Sequence, residues 1–520
     1  MSQSFIDAVT SRERDVAAAS YPCTNADVSN GHLCSIGGLR WPLLPCELAL
    51  VPLLRALTAA NSGKETDAAV VAVLRAHPFI TSTRKERPIS GVPAALGAEV
   101  GECVEEHFKM NLGALHRWLK RREAEPFAKL AGGPSDDGLY TISAVLRQCM
   151  PRGLSRFAFG NAPGADVLIR GFRKFTGLTA DDEDEESGAT SHRESFFFTD
   201  AAAETFTVTT KSNGENGKFA VRRVNGATLL FAGSKNTCLV WRSDQDVGVL
   251  HPPVDQTIPG PRIAAAMQRI WRGWPSATQE QFIAAAGACT LMLEYNSADH
   301  EHVFPIAADF VEFVAVLDAR GLPLAQRAAF ALFDRFELPR VAYTADLPMA
   351  ALPRTLAAER AATDREGAVL YLETGDGSPI GLLKVKSNFY VKARRIRQIF
   401  WSCLVDPLLK GDVLDGCNAP QGGRKKGWEP AEARMRAGMK ALTHVEGCGE
   451  HWVEWADEAV GFVRWWRARL EAAGKGDAAA CTALCREAKD KFGTLFRDYC
   501  REAGPSHGGG AAQHQQDQRS

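Results

Sequence analysis

Lys211 stands in the tetrapeptide Lys211-Ser212-Asn213-Gly214, where the β-prone run FTVTT meets a turn. A strand fixes the lysine's backbone, and Gly214 lets the chain bend close to a phosphate. A lysine amine has an ordinary pKa of about 10.4, so it attacks only after desolvation or nearby cations have removed its proton. Alone the tetrapeptide says little, because Lys-x-x-Gly recurs by chance and an exposed hairpin lysine is the plain alternative. Its company says more. Upstream lie Arg152-Gly153 and VLIRGFRKF, with Arg170 and Lys174. Downstream come Ser234-Lys235, TLMLEYNSADHEHV with Glu294, Arg365-Glu366-Gly367, and Leu383-Lys384-Val385-Lys386. Taken singly, each is a solvated strand end. Taken together, lysines that grip phosphate oxygens and two carboxylates that can hold a hard cation make the pocket that adenylyl transfer requires.

This ordered set runs from Arg152 to Gln398, about half of the chain. It resembles the RNA ligase family of covalent nucleotidyltransferases, most closely the ligase domain of fungal tRNA ligase and the phage single-strand RNA ligases. RGFRKF is similar to that domain's Arg-Gly-Phe-x-Lys-Phe segment, LEYNSADHEHV to its stretch ending in Glu-Glu-His-Val, and KVKSNFYVKARRIRQ to its last Lys-x-Lys strand and basic helix. The resemblance implies an α+β fold, with a central antiparallel-sheet, ATP-grasp-like adenylation domain flanked by mainly helical regions. It implies ATP and Mg2+ (or Mn2+) as cofactors and RNA as partner, in tRNA splicing or RNA repair. Lys211 would be the adenylated nucleophile, with Gly214 in its motif. Glu294 would hold the nucleoside sugar or a metal-bound water, and Glu366 the metal. Lys384 and Lys386 would contact the ATP phosphates, and Arg152, Arg170, Lys174 and Lys235 match basic positions near them.

Three departures stand out. Asn213 replaces the family's commoner Asp, as it does in the fungal branch. An acidic run, Asp181 to Glu186, follows RGFRKF and suits a surface loop better than a phosphate site. Leu291, Met292 and Leu293 stand where an aromatic residue usually precedes the Glu294 position, which leaves the adenine's stacking partner open. An mRNA-capping guanylyltransferase or a DNA ligase shares the lysine motif but continues into an OB-fold, whereas the sequence after Lys386 reads as helices. A non-catalytic RNA-binding scaffold is the alternative of another class. Walker loops and the paired His-x-Thr/Ser motifs of end-healing enzymes are absent, so a ready-made 5′-phosphate is expected to be needed.

Elements must place these residues. FTVTT, KFAVRRV and ATLLFAGSK, separated by Ser-Asn-Gly-Glu-Asn-Gly and Asn225-Gly226, read as an antiparallel meander. Further strands are expected at CTLMLEY, DFVEFVAVL, PRVAYTA, GAVLYLE and IGLLKVK, with helices near Pro261–Trp271, Leu324–Phe336 and Leu352–Thr363. Residues 1–131 read as a mainly helical N-terminal region, 140–402 as the adenylation domain, 403–505 as a helical C-terminal domain and 506–520 as a disordered tail. Six basic residues and no acidic one fall between Lys384 and Arg397, which suggests an RNA-facing surface on Lys392, Arg394 and Arg395, extended by the basic loop 422–426. Trp452, Trp455, Trp465 and Trp466 fall at helical spacing and read as core rather than as base-stacking platforms.

The 520 residues are too many for one ordinary core, and 45% hydrophobic with 24% charged residues is a globular composition. Lys+Arg (61) and Asp+Glu (62) nearly cancel, so any basic surface must be local. The start lacks a secretory signal, no stretch is long and apolar enough for a membrane span, and thirteen scattered cysteines suit a reducing compartment. The expectation is an intracellular monomer, cytoplasmic or nuclear.

Overall fold

The computed structural model describes residues 33–36, 39–60, 63–93, 99–125, 127–128, 134–160, 166–177, 197–199, 201–251, 258–410, 428–445, 447–473 and 478–503. The acidic run at 181–186, the basic loop at 422–426 and the tail from 506 lie outside the described residues.

Two five-stranded sheets carry the centre of the chain. The first is ordered Cys238–Arg242, Ala227–Ser234, Glu215–Val224, Thr290–Asn296, Phe310–Leu317, all antiparallel. The second is ordered Tyr343–Pro348, Thr205–Thr210, Gly367–Glu373, Pro379–Lys386, Thr176–Gly177, with only the last pair parallel. Asn225 and Gly226 both take positive φ (49° and 86°), the two-residue hairpin geometry that Asn-Gly favours, and so fix the register Val224↔Ala227.

Side chains alternate between the two faces of a strand, and in the first sheet both faces are buried. Phe219, Val221, Leu230 and Trp241 face a core shared with the helices Pro259–Gly273, Ser276–Ala286 and Gln326–Arg335. Ala220, Val224, Leu229, Phe231 and Val240 face Ile89, Phe157, Phe159 and Ile169 of a four-stranded sheet. Between the two central sheets, Met292, Ala315 and Leu317 pack on Tyr371 and Leu382. Burying a large apolar side chain of this kind contributes about 1.5–3 kcal/mol, and here it also sets the spacing of the two sheets.

The N-terminal region differs from the sequence expectation. Helices form at Val51–Ala59 and Leu112–Leu119, but two long strands, Ile80–Pro93 and Glu99–Met110, pair between them from Ile80↔Met110 to Pro93↔Glu99. They continue into Ser155–Ala158 and Asp166–Ile169, so this sheet is built from both sides of residue 131. Its charges are matched along and across the strands and against the helix Gly63–Ala76. Buried Glu106 meets Arg75 (3.0 Å), Arg84 (3.3 Å) and Arg156 (3.3 Å), and buried Glu105 meets Arg87 and His107. Such long-range pairing is invisible to local periodicity.

Among the described residues, the chain after Lys386 contains only helices, chiefly Asn388–Phe400, Trp428–Lys440, Trp452–Ala473, Ala478–Asp490 and Phe492–Glu502. Their core includes Phe400, Phe462, Trp466, Phe492 and Phe496, with Trp455 and Trp465 packed at its margin. Trp466 meets Phe400 at 4.8 Å between ring centroids, a core role for this part of the tryptophan pattern. No helix among the described residues is long and apolar enough to cross a membrane.

Glu301 fastens the helical region to the centre. It lies in the loop after Thr290–Asn296, 2% exposed, and its carboxylate accepts from Thr494 N (2.8 Å), Thr494 Oγ1 (2.9 Å) and Ile306 N (3.3 Å). Glu301→Ala leaves these donors without their acceptor, a loss of about 1–3 kcal/mol for buried groups. Hydrogen exchange should therefore speed up at the amides of 490–500 and stay unchanged in Thr205–Thr210. Equal acceleration of both segments would contradict this docking role.

Candidate active site

Lys211 lies at a crossing between the two central sheets rather than in a hairpin. Thr205–Thr210 is paired on both edges, and Lys211 N donates to Gly367 O (2.9 Å). The next residue already belongs to the other sheet: Ser212 Oγ donates to Glu312 Oε2 (2.7 Å) and accepts from Asn296 Nδ2 (3.1 Å). The new strand begins at Glu215, so Asn216-Gly217, read from sequence as part of a turn, is strand. Gly214 is needed because the chain passes against the neighbouring strand. A Cβ there would lie 2.6 Å from Tyr295 O.

Each sheet supplies one carboxylate. Glu366, at the start of the Gly367–Glu373 strand and buried, places Oε1 2.7 Å from Lys211 Nζ. Glu294, on Thr290–Asn296, accepts from Asn216 Nδ2 (3.4 Å). Burial pushes the Glu294 carboxyl up to about 8, against the opposing pull of Lys211 and Asn216, and the charges of Glu366 and Glu215 push the same way as burial. Near neutral pH Glu294 therefore keeps its proton.

Cross-strand register collects the lysines. Thr209 faces Val369, Val369 faces Lys384, and Gly367 faces Lys386, so Lys384 and Lys386 share the sheet face of Lys211. Lys386 is buried, with Nζ 6.0 Å from the Tyr390 ring centroid. A second cluster forms around the helix Asp136–Ile142, capped by Ser135 Oγ on Gly138 N (2.9 Å). Asp137 Oδ1 meets Arg152 Nη2 (2.6 Å) and Lys174 Nζ (2.5 Å), and Asp136 Oδ2 is 3.6 Å from Lys235 Nζ. Burial, then the charges of Arg152 and Lys384, bring the Lys174 ammonium down to about 8. Burial opposes the charge on Asp137, yet Lys174 and Arg152 together hold its carboxyl below the usual range.

Asp136 and Asp137 are not among the site residues expected from the sequence. Ser135-Asp136-Asp137 carries a helix N-cap signal, but nothing local announces the cations it meets. Arg170 is drawn elsewhere: its guanidinium binds Asp67 and donates to Ala319 O (2.8 Å). Lys392, expected on an RNA-facing surface, is turned inward, 8% exposed, with Nζ 2.7 Å from Glu458 Oε2 and near the rings of Phe389 and Trp455. Arg394 and Arg395 are half-buried on the same helix.

The donor set fits a nucleotide phosphate chain with its divalent cation. The lysines are groups that could ligate phosphate, and Glu294 and Glu366 offer the hard oxygens such a cation prefers. Among the described residues, neither polar atom of the Asn213 side chain, both buried, has a hydrogen-bond partner. A ligand bringing its own donors and acceptors would satisfy them.

No protein-family model matches the chain, and no curated protein does. Among solved structures it is similar to two forms of an archaeal ATP-dependent RNA ligase. In each the identity is 16% and 76% of that chain is covered; the shares of this chain are 65% and 64%, with TM-scores of 0.35 and 0.36. It is also similar to a Naegleria gruberi RNA ligase mutant with ATP and Mn, at 13% identity over 61% of this chain and 98% of that one, with a TM-score of 0.27. Likeness at this level decides nothing about activity, which has to be read from the site.

Two outcomes test the geometry. Gly367 has φ +143°, and a Cβ there would lie 2.0 Å from Val385 O. Gly367→Ala should therefore lower stability by about 1–3 kcal/mol in urea unfolding, and an unchanged midpoint would contradict the tight crossing. Glu294, with a folded pKa of about 8 against about 4.3 unfolded, keeps its proton in the folded state where the unfolded chain has lost it. Its contribution is complete below the unfolded value and is lost as pH rises through the folded one. In metal-free buffer, the stability of Glu294→Gln relative to wild type should rise from about pH 5 to about pH 8 and then level off. A difference constant with pH would exclude Glu294 as the titrating group.

Proposed function

We propose that this chain is an ATP-dependent RNA ligase that joins a 5′-phosphate to a 3′-hydroxyl through AMP carried on Lys211. The observation that carries the reading is the placement of Lys211 Nζ 2.7 Å from Glu366, on the sheet face that also presents Lys384 and Lys386.

Lys211 Nζ, once deprotonated, attacks the α-phosphorus of ATP in line. The P–N bond forms as the bond to pyrophosphate breaks. Lys384 and Lys386 neutralise the phosphate chain, and Arg152, Lys174 and Lys235 form an adjoining cationic wall. Burial and neighbouring cations bring the Lys174 ammonium in that wall down to about 8. Asn213 and Gly214 shape the turn beside the nucleotide, and Glu294 orients the sugar. Glu366 and Glu294 are the residues that would hold Mg2+ or Mn2+, which supplies charge neutralisation to the phosphates when bound. An RNA 5′-phosphate oxygen then takes the AMP from Lys211, breaking the P–N bond. Finally an RNA 3′-hydroxyl attacks that phosphate and releases AMP.

The helical region after Lys386 favours RNA ligation over capping or DNA ligation, whose enzymes continue into an OB-fold. Arg394 and Arg395 are the remaining candidates for RNA contact on the basic helix. A non-catalytic RNA-binding scaffold is separated from this reading by one experiment. Protein freed of bound nucleotide is incubated with Mg2+ and ATP labelled at the α-phosphate, then run on a denaturing gel beside Lys211→Ala. A labelled wild-type band that is lost in the variant is expected. Absence of label from folded wild type with either ATP or GTP would sink the reading.

A further inference from the structure

Beside the lysine pocket, three side chains not used in that chemistry converge. Ligand atoms of Glu215, His300 and His302 all lie within 4.8 Å of one another, and Glu215 Oε1 is 3.1 Å from His302 Nε2. The His300 and His302 rings stand nearly perpendicular, at 89° with centroids 6.0 Å apart. Glu215 opens its strand opposite Tyr295, one residue from the Asn216 that touches Glu294. His300 and His302 flank Glu301, whose carboxylate is committed to Thr494, so the anchored residue lies between the two imidazoles in the chain.

We propose that Glu215, His300 and His302 bind a divalent transition-metal ion of the zinc type, at a site separate from the Glu294–Glu366 pair, with a fourth position open to solvent. Two imidazoles and one carboxylate are a common three-ligand set for zinc. With metal–ligand bonds of about 2.0–2.2 Å, tetrahedral ligands stand about 3.3–3.5 Å apart. The Glu215–His302 separation, 3.1 Å, lies just below that range, and His300, within 4.8 Å of both, reaches it by a side-chain shift. His300 Nδ1 lies 3.7 Å from Asp490 Oδ1, where a carboxylate can orient a ligating imidazole through its other nitrogen. An ion here would tie the residue that follows the Lys211 loop to the loop that docks the C-terminal helices.

The test is a Co2+ titration of the full chain under reducing conditions, followed by displacement with Zn2+, and its readout does not depend on adenylylation or ligation. Wild type should bind one Co2+ with visible ligand-field absorption and without the intense near-ultraviolet band of thiolate ligation, which the thirteen cysteines could otherwise supply. His302→Ala and Glu215→Gln should each weaken that binding at least about tenfold, and Glu366→Gln should leave it in place. The near-isosteric Glu215→Gln guards against loss of folding in the alanine variant. No such absorption in wild type, or wild-type affinity in a folded sample of either variant, overturns the site.

Discussion

The bond from Lys211 N–H to Gly367 O holds the last residue of one sheet at the point where the chain must leave for the other. Immediately afterwards Ser212 is bonded to Glu312 and Asn296, and Gly214 is pressed against Tyr295. The lysine is therefore placed by backbone clamps on both sides, and its side chain has only to extend into the gap. The width of that gap is set by Met292, Ala315 and Leu317 packing on Tyr371 and Leu382. Close-packed interiors resist compression, so these apolar contacts hold the charged groups of the two sheets at a fixed spacing.

Charge is distributed by the same architecture. Glu294 comes from one sheet and Glu366 from the other, and their closeness to each other and to Lys211 follows from the crossing. The cations at Arg152, Lys174 and Lys235 are gathered by the acidic start of the helix Asp136–Ile142. Positive charges brought this close repel one another and lose hydration, and Asp137 offsets both costs. The segment preceding the central sheets is thus part of the site's electrostatics. The sheet it shares with Ser155–Ala158 and Asp166–Ile169 holds it there.

The C-terminal helices are joined to the same centre by polar contacts as well as by apolar packing. Glu301 reaches Thr494, and Lys392 reaches Glu458 across the basic helix that follows the Lys386 strand. A buried ion pair of this kind contributes less to stability than to orientation, since its desolvation cost offsets much of its attraction. Its effect here is to turn one face of the basic helix towards protein.

Local physics made much of this protein legible in its sequence. The strands holding Glu294, Lys384 and Lys386, the Asn225-Gly226 hairpin and the helices around 259–273 and 326–335 are written in periodicity and turn chemistry, which act over a few residues. The ordered set of lysines and carboxylates around Lys211 was singled out by its resemblance to a family rather than by local physics. Tertiary structure alone decided which partner each element meets. Ser-Asn-Gly signals that the chain bends but not that it enters another sheet. The charged strands at Ile80–Pro93 and Glu99–Met110 become strands only through cross-strand ion pairs and a buried opposite face. Asp137 meets Lys174 across 37 residues and Lys392 meets Glu458 across 66. Contacts at such separations depend on how the sheets and helices stack, and the free energy that selects the stacking is spread over a whole core rather than carried by any short run of residues.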